Sequence, residues 1–325
     1  MATVTNVNEA NYALAESQAI FDSYRKKICA ATGDDHRGMG VFMHLRTASD
    51  PKDTTIMRAN YDTFYSFAIL DLRECPATLV MPPRKRYQSA WLVDEEHYNP
   101  FAVNEPGSFA IDENGVGNRF VMIIVRTQVN MRDEADVKAA TLLQDQLELK
   151  QENKGEAYAP GAWDTAEVLA MRAKYQKIVE EKNLKASTFF GKKGSISLLH
   201  HNCGTAFGWG GLTEEQAVYL PYTPSGPPSD CSLNLRDVPV KAFWSVTVYD
   251  ADGNVNTERY NINSAFAVPN EDKSFTIHFG LGEGEGRPNF MDIREGWNFT
   301  LRLYLPTEVY FQGAWPLPEL TVTEG

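Results

Sequence analysis

Short apolar runs, closed off by proline, glycine or Asn-Gly, set the pattern of this chain. Between 41 and 130 they are VFMHLR (41–46), FYSFAILDL (64–72), ATLVMPP (77–83), SAWLV (89–93), SFAI (108–111) and RFVMIIVRTQV (119–129). β-Branched and aromatic residues dominate these runs, which predicts strands. Pro76, Pro82, Pro83, Pro100 and Pro106 fall near the run ends, where proline does least harm to a ladder. Runs of the same kind return from 241 as KAFWSVTVYD, ERYNIN, FTIHFG and WNFTLRLYLP. Asp252-Gly253 is a hairpin-like turn signal after the first of them.

Helical spacing occupies other stretches. Residues 9–30 predict an amphipathic helix with Tyr12, Ala15, Ala19, Tyr24 and Ile28 along one stripe. Val137, Ala140, Leu143 and Leu147 lie three and four apart and predict a helix over 136–149. Asp164, with Glu167 three residues on, resembles a capping box. The helix it opens would reach about 182 and bury Val168, Met171, Tyr175, Ile178 and Val179. The stretch 185–240 predicts loops. PYTPSGPPSD (221–230) fits no regular element, and Thr213 with Gln216 suggests only a short capped helix.

The order is helix, β block, helical segment, β block. It predicts a mainly β fold with packed helices: two β-sandwich or jelly-roll domains joined by a helical segment. The expected divisions are an N-terminal helix at 1–35, a first β domain at 36–132, a helical linker region at 133–190 and a second β-sandwich domain at 191–325.

Composition narrows the partners. Thirty-one basic against 43 acidic residues give a net charge of −12. Nucleic acid would want a basic stripe, and an anionic membrane surface would repel such a chain. No stretch approaches the roughly 18 apolar residues of a membrane span. The first residues lack the basic-then-apolar order of a signal peptide. Cys29, Cys75, Cys203 and Cys231 are widely spaced with no CxxC. They read as free thiols in a reducing compartment, so a cytoplasmic location is expected.

Several catalytic signatures are missing from the sequence. It has no GxSxG elbow, no GxGxxG, no P-loop and no HExxH. No cofactor is therefore expected, and no residue pattern supports a metal, whose binding the sequence leaves open. GLGEGEGRP (280–288) carries two glutamates and reads as a mobile loop rather than an anion cradle. In HHNCG, neighbouring side chains on an extended chain point to opposite faces, so His200 and His201 would not share a metal. His201 and Cys203 would need a third ligand from elsewhere; packed or solvated histidines are the commoner reading.

Polar residues inside apolar runs are the better candidates, because buried polar groups need partners. His44 and Arg46 share one face of a predicted strand, as an imidazole for protons and a guanidinium for an anion. In RANYDTFYS (58–66) a strand reading puts Arg58, Asn60 and Asp62 on one face, with Tyr65 on the other. Asp62 could be a general acid or base with Arg58 lowering its pKa, or half of an internal Asp–Arg bridge. In FWSVTVYD (243–250), Trp244, Val246 and Val248 alternate with Ser245, Thr247 and Tyr249. Trp244 would line a pocket or, more commonly, a core. Arg302 and Tyr304 share a face of the last long strand.

The chain also resembles the paired domains of unknown function numbered 1254 and 1214, in a compact two-domain form. RANYDTFYSFAILDL carries the first resemblance. WGGLTEEQAVY (209–219), PVKAFWSVTVYD (239–250), Tyr260/Asn261, GWNFTLRLYLP (296–306) and GAWPLPEL (313–320) carry the second. The resemblance implies β-sandwich or jelly-roll domains with packed helices, and no one general reaction. Its polar positions fall on Arg58, Asn60, Asp62, Thr63, Tyr65, Trp244, Ser245, Tyr249, Asn261, Arg302 and Tyr304. Two segments depart from the family pattern: Asn289-Phe290-Met291-Asp292, where Asn-Trp-Leu-Pro is common, and Asp272-Lys273-Ser274, where Asp-Gly-Ser is usual.

The resulting expectation is an enzyme of hydrolase or lyase type, without a serine elbow. It would act on a carboxylate-, ester- or amide-bearing small molecule between the two β domains. Asp62 and His44 would be catalytic. Arg46, Arg58, Asn60, Tyr65, Trp244, Tyr249, Arg302 and Tyr304 would bind substrate. The alternatives are a non-catalytic protein binding a saccharide or small ligand, and a structural or assembly protein. The expected partner is a small-molecule ligand, with self-association into a homo-oligomer left open.

Overall fold

A computed structural model describes residues 4–33, 37–47, 58–282 and 286–322. It is mainly β with helices, and the chain forms two compact units from alternating stretches. The first comprises Met1–Arg46, Phe64–Gln128 and Lys138–Thr213; the second comprises Thr47–Thr63, Val129–Val137 and Glu214–Gly325. Among the described residues no helix is long and apolar enough to cross a membrane.

Helix α1 (Tyr12–Thr32) is followed by β1 (Met43–Leu45), β2 (Thr63–Asp71), β3 (Ala77–Met81), β4 (Gln88–Asp94), β5 (Ala102–Val103) and β6 (Gly107–Ile111). Next come α2 (Glu113–Val116), β7 (Phe120–Gln128), α3 (Glu134–Gln144), β8 (Glu148–Lys150), α4 (Thr165–Lys182) and α5 (Leu198–Gly208). The first unit has a five-stranded sheet, β1-β2-β7-β4-β5, and a three-stranded one, β6-β3-β8. Leu70, Leu92, Ile123 and Val125 of the large sheet share a core with Leu79 and Met81 of the small one. On the other face of the large sheet, Ile69, Trp91 and Met122 pack with Phe21 and Ile28 of α1. Burial on both faces explains why β2 and β7 read as nearly unbroken apolar runs.

In the second unit, β9 (Ala217–Tyr222), β11 (Val240–Tyr249), β12 (Asn261–Asn263) and β15 (Asn298–Pro306) form the sheet β12-β11-β15-β9. The other sheet, β14-β13-β10-β16, contains β10 (Cys231–Leu235), β13 (Phe275–Gly280), β14 (Phe290–Asp292) and β16 (Leu320–Val322). A short α6 (Glu308–Phe311) follows β15. One core joins the two sheets: Trp244, Val246, Phe299, Leu301 and Leu303 from the first, and Leu233, Leu235, Ile277, Phe279 and Met291 from the second.

Several predicted elements are displaced. The helix expected over 136–149 stops at Gln144, and β8 pairs with β3 through Leu149 opposite Leu79. The loop-rich stretch holds α5, opened by Ser197 accepting from the His200 amide at 3.3 Å, and also β9 and β10. HHNCG therefore lies on a helix, where residues four apart rather than two share a face. Residues 214–216 form a turn, not a helix. Pro221 sits within β9, tolerated because β9 is the edge of its sheet. In RANYDTFYS the strand begins only at Thr63, so Arg58, Asn60 and Asp62 do not share a strand face. Of the glycine-rich loop at 280–288, residues 283–285 lie outside the described residues.

Asp164 caps α4 as expected, accepting from the amides of Ala166 (2.9 Å) and Glu167 (3.1 Å). The reciprocal half of the capping box is open. Glu167 accepts from the Val7 amide instead, and the Asp164 amide donates to the Thr5 carbonyl.

Candidate functional site

Alternation on β11 and β15 places one face in the core and leaves the other polar. Ser245, Thr247 and Tyr249 stand opposite Arg302, Thr300 and Asn298 in the strand register. The segment 58–62 belongs to the same unit and is fixed over this face. Its backbone is tied by Arg58 N–H to the Gly253 carbonyl (2.8 Å) and by Val129 N–H to the Asp62 carbonyl (2.9 Å). Arg58 adopts a left-handed φ of 53° where the segment turns.

Asp62 is fully buried. Its Oδ1 accepts from Asn261 Nδ2 at 2.9 Å; its Oδ2 accepts from Ser245 Oγ at 2.5 Å and Tyr304 OH at 2.9 Å. Charge-assisted bonds of this kind are what make a buried carboxylate tolerable. Three of its roughly four lone-pair sites are filled. Asn60 donates to Tyr304 OH at 3.1 Å and accepts the Asp62 amide at 2.7 Å.

Arg302, also buried, gives NH1 to Thr247 Oγ1 (2.8 Å). Its NH2 reaches Tyr249 OH (2.5 Å) and the carbonyls of Arg58 (3.2 Å) and Ala59 (3.4 Å). Burial works to lower its pKa, but Tyr249, Tyr304 and Asp62 outweigh that and raise it. Arg58 bonds Asn298 rather than Asp62. Within the cluster, Thr63 Oγ1, Asn263 Nδ2 and Arg302 Nε are buried without a hydrogen-bond partner among the described residues. The result is a buried polar clasp holding 58–62 to the sheet.

The structure thus brings together Arg58, Asn60, Asp62, Tyr249, Arg302 and Tyr304. Trp244 faces the other way, into the core, edge-on to Phe275 at 5.1 Å. His44, Arg46 and Tyr65 belong to the first unit or its strands. His44 Nδ1 lies 2.8 Å from Ser66 Oγ, which also accepts from Gln144 Nε2 at 3.1 Å. Burial, then Arg46, lowers the His44 pKa. Arg46 pairs with Asp145, and Tyr65 OH accepts from Arg126 Nε at 3.1 Å. His201 and Cys203 are both buried on α5, and the described residues hold no group of three metal-ligating side chains. Thr247 and Asn298 were not singled out from the sequence; their signal is the same alternation that marked Arg302 and Tyr304.

A second feature of this unit has no sequence signal at all. An open groove of about 580 Å³ is lined by Arg132, Arg259, Arg287 and Glu258, with Ile262, Phe266, Val268 and Phe290 as its apolar wall. Arg259 is locked: its Nε and NH2 hold the Asp292 carboxylate (NH2 to Oδ1, 2.7 Å) while the guanidinium lies 4.9 Å over the Phe290 ring. Arg132 NH2 donates to the Asn261 carbonyl at 2.5 Å. Surrounding protein lowers its pKa, Tyr260 opposes this, and Arg259 adds to it. Asn289, at φ 55°, staples the wall by bonding Val268 through both backbone groups at 2.8 Å. Groove and clasp meet at Asn261, whose carbonyl takes Arg132 and whose side chain takes Asp62. The wall also contains Asn289 and Phe290, from one of the two segments where the chain departs from the family pattern.

The family described as protein of unknown function DUF1254 matches residues 39–151, and that described as DUF1214 matches 230–308. No curated protein matches the chain. Among solved structures, the VPA0106 protein from Vibrio parahaemolyticus is similar with a TM-score of 0.67 at 16% identity, over 98% of this chain and 100% of that one. A protein from Burkholderia cenocepacia is similar with a TM-score of 0.52 at 12% identity, over 97% and 88%. At these identities the likeness is one of fold.

Proposed function

We propose that this chain, a member of the proteins that pair DUF1254 with DUF1214, is a small-molecule-binding protein with the groove beside Arg132 as its site. The observation that carries this reading is the groove itself. A concave site of about 580 Å³, with an apolar wall facing charged groups, has the size of a ligand pocket. The Asp62 clasp supports the site from behind. Its carboxylate is fully buried and already accepts three side-chain hydrogen bonds, which leaves no substrate-facing atom to move a proton.

A catalytic reading has one observation in its favour: the hydrogen bond between Ser66 and His44, a serine–imidazole pairing used elsewhere to activate a nucleophile. Ser66 is fully buried, and its hydroxyl is already taken by His44 and Gln144. The buried serine has no route to a substrate, and the groove supports binding better.

Val268→Trp tests it. Val268 is 53% exposed on the groove wall, and its backbone bonds to Asn289 do not depend on its side chain. Thermal unfolding against a panel of small metabolites should give at least one compound that stabilises the wild type and not the variant. At one hundred times its Kd such a compound adds about 2.7 kcal/mol. Equal responses from both proteins would reject the groove.

A further inference from the structure

We infer that the ligand is a small organic oxyanion, a carboxylate or phosphate ester on an apolar body, and that Arg132 is the residue that takes its charge. This rests on reading the groove as the ligand site. In a chain of net charge −12, three guanidiniums line this groove among the described residues against one lining carboxylate, Glu258, with Asp292 and Asp230 paired to two of them and Arg132 left to carry the excess positive charge. Such a local reversal of sign favours an anion and disfavours a cation.

The three arginines are not equivalent. Arg259 has spent its planar fork on Asp292 and gives NH2 to the Gly282 carbonyl as well, so it forms wall rather than a receptor. Arg287 contacts Asp230 only at 3.5 Å, with both side chains about half exposed, a weak pairing that a ligand can displace. Arg132 is the third. Among the described residues it enters no ion pair with a carboxylate, and one NH2 contact to a carbonyl leaves most of its five donors for a ligand. A guanidinium presents a fork matched to carboxylate and phosphate alike. Phe266 and Val268, on the same groove, give the ligand's apolar body a surface to lie on.

The test is isothermal titration of the full chain with benzoate, phenyl phosphate and benzyl alcohol. The same probes are applied to Arg132→Gln, Arg132→Lys, Arg287→Gln and Val268→Trp, with each variant's unliganded melting temperature as the folding check. One or both anions should bind the wild type at least tenfold more tightly than the alcohol, and which one does tells phosphate ester from carboxylate. Arg132→Gln should weaken the anion roughly 10- to 100-fold, the range of a lost charged hydrogen bond. Arg132→Lys should recover part of that, and Arg287→Gln should cost a few-fold. Val268→Trp should abolish binding of every probe. Anion and alcohol binding equally, with Arg132→Gln unchanged, would overturn the oxyanion assignment while leaving the groove a site. Failure of all three probes to bind would overturn both. The wild-type comparison decides the matter even where Arg132→Gln is unfolded.

Discussion

Asp62 shows how a side chain that looks catalytic in sequence becomes structural in space. A carboxylate among aromatics invites an acid–base role, but here Ser245, Tyr304 and Asn261 consume it, and its charge sits in one buried cluster with that of Arg302. Removing one partner of a buried charge set leaves the other uncompensated. Asp62→Ala should lower the unfolding free energy by about 3–5 kcal/mol in urea denaturation; a loss below about 1 kcal/mol, the scale of an ordinary single hydrogen bond, would speak against the clasp. His201 offers a pH test at the same scale. Burial lowers its pKa to about 4, and Glu96, Lys193 and Tyr98 are its near neighbours. A histidine depressed in the fold stabilises above its unfolded value of about 6.5, and that contribution falls away as pH drops toward 4. His201→Gln should therefore lose its stability deficit relative to wild type by about 2–3 kcal/mol between those pH values. Asp94, raised to about 7 by burial, works in the opposite sense, so the difference between the two proteins is the quantity to read.

At the scale of elements, legibility followed the length of the periodic signal. The strands β2, β4, β7, β11 and β15 carry seven to ten residues each and were visible as apolar runs. The α4 helix was visible because Asp164 marks its start; Asp164→Ala should cost about 1 kcal/mol, read as a lower melting temperature. Among elements of two to six residues, β3, β6 and β13 were visible as short apolar runs, whereas β8, β9 and β10 were not. Leu143 and Leu147 fit a helical spacing, yet Leu147 reaches its core from the turn before β8, a three-residue strand that pairing with β3 decides. The β9 strand was hidden by Pro221, which only its edge position makes harmless. In α5 the run HHNCG offers neither charges nor a clear stripe, and packing on α4 rather than propensity carries it. The groove had no signature because Arg132, Arg259 and Arg287 come from three separate segments.

At the scale of the molecule, the second unit is not a contiguous piece of chain. It takes in 58–63 and 129–137 along with everything from Glu214 onward. A fragment starting at 214 would expose the polar face of β11 and β15, with Arg302 and Tyr249 deprived of the Arg58 and Ala59 carbonyls. Expressed alone, it should show no cooperative unfolding by circular dichroism, whereas the full chain should. A cooperative fragment would mean that the clasp is dispensable. The closed brace at Asp62 and the proposed anion site at Arg132 are separate places in the second unit, and a crystal structure of the full chain grown with phenyl phosphate tests that separation most directly. The predicted result is a phosphate against Arg132 in the groove, with Asp62 still held by Ser245, Tyr304 and Asn261. A ligand seated beside Asp62, or Asp62 released from those three partners, would contradict it.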